Sequence, residues 1–116
     1  VPRAELPKLL KGVKELGKKY GFQSVCYGHA GDGNVHLHPL GRGLSREEWI
    51  DRLPRVMKEM YQVGISLGGT ISGEHGLGSE KKSYLSMAMS QEQIALMVRL
   101  KRAFDPKGIL NPGKIF

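Results

Sequence analysis

The chain has 116 residues, 40% of them hydrophobic and 25% charged, with a formal net charge of +7. That is the size of one domain or part of one, with enough residues to bury a real core, and the composition is that of an ordinary soluble globular protein. No apolar run approaches the ~20 residues of a membrane-spanning helix, no signal-peptide pattern opens the chain, and the single cysteine, Cys26, has no internal partner, which fits a reducing, cytoplasmic compartment.

The sequence opens at Val1 rather than methionine and enters a helical pattern almost at once, as a fragment, a processed product or a trimmed piece would. Leu6, Leu9, Leu10, Val13, Leu16 and Tyr20 recur every three or four residues, which predicts an amphipathic helix from about Ala4 to Tyr20, stopped by Gly21. Lys8, Lys11, Lys14 and Lys18 lie opposite that stripe as a solvated face. Phe22 to Tyr27 reads as a strand, residues 30–33 as a tight turn, and Val35 to Leu40 as a second strand. In the latter, Val35 and Leu37 face one way and His36 and His38 the other.

Ser45 with Glu48 is a capping-box signature, opening a helix that carries Trp49, Ile50, Leu53, Val56, Met57, Met60 and Tyr61. Pro54 is expected to kink or divide it, and Gly64 to end or loosen it. A short strand is expected near Ser66 to Ile71, followed by glycine-rich loop. Ser90 with Gln93 repeats the capping box and opens a helix whose inner face is Ile94, Met97, Leu100 and Phe104. Asp105, Pro106 and Gly108 end it, and the tail turns at Asn111, Pro112 and Gly113. Helices mixed with antiparallel strands, without a βαβ glycine fingerprint, indicate an α+β fold.

Three of the four histidines fall in two glycine-rich stretches, HAGDGNVH (29–36) and GEHG (73–76). A hairpin turning at Gly31-Asp32-Gly33 brings His29 and His36 toward one point, and Glu74 supplies a third metal ligand. Two imidazoles and a carboxylate suit a catalytic divalent metal with positions left open. The competing reading is two histidines on a solvated strand face and a glutamate in a loop, and spacing alone leaves the two level. His75, beside Glu74, is a candidate general base, or a histidine that merely closes a loop. His38 reads as a surface histidine, Asp32 and Asn34 as turn formers, and Cys26 as a small buried hydrophobe. GEHGLGS has serine where a phosphate-binding loop needs lysine, and GLGSEK lacks the third glycine of a dinucleotide fingerprint.

HAGDGNVH, GGTISGEHGLGSEK and FDPKGILNPGKIF, in this order, resemble the C-terminal part of FAD-linked oxidases of the vanillyl-alcohol oxidase type. The branch is that of the glycolate oxidase FAD subunit, D-lactate dehydrogenase and D-2-hydroxyglutarate dehydrogenase. The resemblance covers nearly the whole chain. It implies oxidation of a 2-hydroxy acid to the 2-oxo acid with FAD as the hydride acceptor. It further implies His29, His36 and Glu74 as ligands of a divalent metal, often zinc, His75 as the base, and Asn111 near the flavin. The implied architecture is a ferredoxin-like antiparallel sheet with packed helices. Residues 1–116 would then be the C-terminal portion of a larger cap domain. The FAD-binding domain would come from elsewhere, as another part of the polypeptide or a separate subunit.

The basic charge suits an anionic small-molecule substrate. No nucleic-acid motif accompanies it, and the lysines lack the interleaved aromatics of a single-strand binder. The alternative function is a stand-alone metal- or anion-binding module without catalysis. Exposed apolar surface on a partial domain leaves an oligomer open.

Overall fold

A computed structural model describes all residues, 1–116. The chain forms two compact units, Val1–Glu74 and His75–Phe116, in an α+β arrangement with one two-stranded antiparallel sheet.

In the first unit a single 3-10 turn, Arg3–Glu5, leads into helix α1, Leu6–Tyr20. Pro7 stands in its first turn, where no intrahelical N–H is needed. The three-and-four spacing buries Leu9, Val13 and Leu16 on one side of α1. Strands β1, Gln23–His29, and β2, Asn34–Leu40, form a hairpin closed by a 3-10 turn at Ala30–Asp32. The register pairs Tyr27 with His36, Gly28 with Val35 and His29 with Asn34. One hairpin face therefore carries Val35 and Leu37, and both pack against the core made by Leu9, Val13, Leu16, Phe22, Val56 and Met60. The opposite face carries Val25, Tyr27, His29, His36 and His38 and stays open.

Helix α2, Arg46–Ser66, begins at Ser45, whose hydroxyl accepts from the Glu48 amide while the Glu48 carboxylate accepts from the Ser45 amide. Helix α2 packs on α1, and Val56 and Met60 supply its share of the core. At the far end of α1, the Tyr20 hydroxyl donates to Glu59 at 2.6 Å and Lys19 pairs with the same carboxylate.

Helix α2 runs unbroken through Pro54, where a kink or division is expected from sequence. Pro54 and Ile50 are both exposed, so the Ile50 carbonyl, which proline deprives of a donor, lies where water reaches it. The strand expected near Ser66 to Ile71 is absent, because the helix takes Ser66 and the glycines after it are its cap. Gly68, with φ 76°, donates to the Ile65 carbonyl, and Gly69 donates to Gly64. This is a Schellman closure, and its left-handed position favours glycine. Cys26 is exposed rather than buried. It lies on β1, whose outer edge has no strand beside it.

In the second unit a 3-10 turn, Lys82–Tyr84, continues into the short helix α3, Leu85–Ala88. Helix α4, Gln91–Phe104, opens with the expected capping box at Ser90 and Gln93. Its expected inner face is largely uncovered, with Leu100 52% and Phe104 83% exposed. No helix of the chain is long and apolar enough to cross a membrane.

Candidate metal centre

Strand alternation selects the histidines. His29 ends β1 and His36 stands on β2, both on the hairpin's open face, with ring centroids 6.4 Å apart and edge-on. The two are diagonal neighbours, since His29 directly faces Asn34 and Tyr27 faces His36. Glu74 completes the group, its Oε1 lying 2.9 Å from Nε2 of His36. One ligand atom from each of His29, His36 and Glu74 falls within 4.8 Å of the others. The cluster lies wholly inside the first unit. His29 and Glu74 are exposed and His36 is half-buried.

Gly73 brings Glu74 in. A side-chain carbon at residue 73 would overlap the Asn34 carboxamide, so a larger residue here would require the Asn34 side chain to move aside. Asn34, which reads from sequence as a turn former, is thus also the surface on which the Glu74 segment rests. A second residue without a sequence-level role is Tyr27. Its ring stacks with His36 at 5.1 Å and with His38 at 5.3 Å. The signal was available in the alternation, because Tyr27 lies two residues before His29 and so shares its face.

Two imidazole nitrogens and a carboxylate oxygen are a borderline donor set suited to zinc and similar divalent ions. Three protein ligands leave coordination positions for water or substrate. The donors fit such an ion by type, number and proximity.

The remaining predicted residues belong to the second unit. His75 is bonded to Glu74 and exposed. Asn111 is exposed in the C-terminal turn, in a left-handed conformation with φ 48°. The segment before it is organised by Asp105, a carboxylate only 6% exposed. Asp105 accepts from the Ile109 and Leu110 amides at 3.0 Å each and from Lys101 Nζ at 2.6 Å. Lys101 also donates to the Leu110 carbonyl. The Lys101 ammonium foremost, and then the two amides, hold the Asp105 carboxyl below the usual carboxylate range against the opposing effect of burial. Ile115 donates to the Gly78 carbonyl at 2.8 Å, which ties the tail to the loop that follows His75.

The sequence pattern of the family described as FAD linked oxidases, C-terminal domain, matches residues 1–115. The chain belongs to this family. Among its relatives, it is 45% identical over 115 residues to a D-lactate dehydrogenase of Archaeoglobus fulgidus, covering 99% of this chain and 25% of that protein. It is 43% identical over 117 residues to the glycolate oxidase subunit GlcD of Bacillus subtilis, covering 100% of this chain and 24% of that protein. A D-2-hydroxyglutarate dehydrogenase of Stutzerimonas stutzeri is 38% identical over 115 residues, covering 97% of the chain and 25% of the relative. This FAD-linked oxidase domain thus spans about a quarter of the length of the relatives it matches.

Proposed function

We propose that this domain supplies the metal ligands and the proton-accepting base of an FAD-dependent oxidoreductase that converts a 2-hydroxy acid of the glycolate or D-lactate type to the 2-oxo acid. The observation that carries the reading is the convergence of His29, His36 and Glu74 within 4.8 Å, followed directly in the chain by His75. His29 and His36 present imidazole nitrogens and Glu74 a carboxylate oxygen to a divalent ion, zinc by donor type. When bound, that ion supplies Lewis-acid polarisation of the substrate's hydroxyl and carboxylate, and FAD supplies the hydride acceptor. His75 accepts the hydroxyl proton at an imidazole nitrogen, the side chain best suited to proton exchange near neutral pH. Asn111 offers a carboxamide donor and acceptor to the flavin, on a turn whose approach Asp105 holds in shape. The FAD-binding domain, from the same polypeptide or a partner subunit, completes the site, and residues 1–116 form the C-terminal portion of the larger cap. The basic balance of the chain suits an anionic substrate. The unpaired thiol of Cys26 suits the cytoplasm.

Metal analysis of the intact protein tests the ligand set. His29→Ala, His36→Ala and Glu74→Ala are each expected to lose bound metal, and undiminished metal in all three overturns the assignment. His75→Ala is expected to keep its metal and lose turnover by about 10²–10⁴-fold, whereas full activity sinks the base assignment. Metal binding in an intact protein that neither holds flavin nor oxidises 2-hydroxy acids would instead identify a binding module.

A further inference from the structure

His36 is the ligand that both other members of the cluster meet. Glu74 reaches its Nε2 at 2.9 Å, and the His29 ring stands edge-on to it at 6.4 Å. The three donors stay convergent only while the His36 imidazole keeps one plane. The core does not supply that plane, because His36 projects from the hairpin face opposite Val35 and Leu37. The torsion that turns such a ring is broad, and a contact at one ring nitrogen leaves the ring able to swivel about it. A flat group laid against the ring removes that freedom. Tyr27 does this from the other strand. It stands directly across from His36 in the register, and its ring stacks on the imidazole with centroids 5.1 Å and planes 27° apart, a cross-strand aromatic contact. Tyr27 is itself 57% exposed, so the core does not hold it either. Its anchor is His38. These two rings are parallel within 5°, with centroids 5.3 Å apart, and the Tyr27 hydroxyl is hydrogen-bonded to Nε2 of His38 at 3.0 Å, with the donor set by the His38 tautomer. The register places His38 across from Val25, farther from the hairpin's turn, so His38 reaches Tyr27 while the cluster forms at the other end.

We propose that Tyr27 is a positioning residue that sets the ring plane of the metal ligand His36, with His38 as the anchor that steadies Tyr27. The proposal rests on the metal-site reading above. The constraint runs along the open face from His38 through Tyr27 to His36, three rings that the core leaves unsupported. Partners outside a ligand set commonly fix the orientation of a ligating imidazole, and a ligand already held in its binding orientation loses less freedom when the ion arrives. The arrangement gives a role to two exposed side chains that the cluster itself does not use.

The test uses the intact protein stripped of metal and titrated with Co2+, whose visible absorption reports both occupancy and ligand geometry. Tyr27→Leu keeps an apolar side chain on the strand and removes the ring. It is expected to bind Co2+ about tenfold more weakly, on the scale of changes to partners outside a ligand set, and to show a shifted absorption band even at saturating Co2+. Tyr27→Phe keeps the stack and loses the hydroxyl, so a smaller loss is expected. His38→Ala removes the anchor and is expected to weaken binding as well. Adding Tyr27→Phe to it should cost nothing further, because the hydroxyl has then already lost its partner. Wild-type affinity with an unshifted band in Tyr27→Leu overturns the proposal. Weaker binding with an unshifted band at saturation overturns it too, since a loosened hairpin rather than a turned ligand gives that pattern. Should Tyr27→Leu fail to fold, wild-type affinity in both Tyr27→Phe and His38→Ala overturns the proposal, and a further loss in the double variant overturns the part given to His38. Equal Co2+ affinity in wild type and His36→Ala overturns the metal reading itself, and the role of Tyr27 with it. That control leaves Tyr27 and His38 untouched, so the two ideas fail separately.

Discussion

The two units of this chain are held together by different physics. Val1–Glu74 is built around an apolar core in which Val13 and Val56 are fully enclosed and Leu9, Phe22 and Met60 nearly so. His75–Phe116 buries only Leu85 and Asp105. There the order comes from polar devices, namely the Ser90–Gln93 cap, the Asp105 cage and the bond from Ile115 to Gly78. The functional residues divide along the same line. The proposed metal ligands belong to the hairpin and its flank, which a core backs, while the proposed base and flavin contact belong to loops set by hydrogen bonds. A metal site needs donors held within tenths of an ångström, and a packed core gives that rigidity.

The comparison breaks first if the core of the Val1–Glu74 unit is not what holds it. Met60→Ala is expected to cost about 2–5 kcal/mol in denaturant unfolding of the intact protein and to weaken metal binding with it. A loss well under that range would mean that the helices do not hold the hairpin in place.

The Asp105 cage gives the matching test for His75–Phe116. Asp105→Asn removes the counter-charge of Lys101 and is expected to quicken hydrogen exchange at the Ile109 and Leu110 amides, with metal content unchanged. Acid should likewise lower the protection of these two amides in wild type, measured against their intrinsic exchange rate at each pH. The folded carboxyl has a depressed pKa, so its contribution is complete above the ordinary carboxylate value near ~3.9 and is lost as the pH falls through the lower folded value. Protection factors at these two amides that stay constant down to the acid transition would show that the cage is not what orders the loop.

The smallest effects are at the caps. Ser45→Ala and Ser90→Ala each remove one side-chain acceptor from a helix start and are expected to cost about 1 kcal/mol. Thermal melts should place the two losses close together, because the hydrogen-bond pattern is the same at both sites. A markedly larger loss at Ser90 would sharpen the contrast, since α4 buries no side chain fully and leans more heavily on its cap.

Much of this could be read from local chemistry. The apolar periodicity of α1, the two capping boxes, the hairpin alternation and the approach of His29 to His36 all follow from neighbours within a few residues, or from one turn. Reading was harder wherever one local signal competed with another. Pro54 and Gly64 are both helix breakers by propensity, yet α2 passes through them, because its Val56 and Met60 face is fastened to α1. Gly68 and Gly69, next to β-branched neighbours, resemble the edge of a strand until the helix is seen to end on them. Cys26 alternates onto the core-facing side of β1, but nothing covers it there.

The amino-acid sequence alone sets which groups are available: two imidazoles seven residues apart, a Glu-His pair flanked by glycine, and helices with marked starts. These are short-range properties of covalent spacing and backbone propensity. Tertiary structure selects among them. It places Gly73 against Asn34 so that Glu74 reaches His36, and its register sets His29 beside Asn34 at the hairpin's end, near His36 and away from His38. Those choices depend on strand register and on contacts between residues far apart in the chain, and no local pattern encodes them.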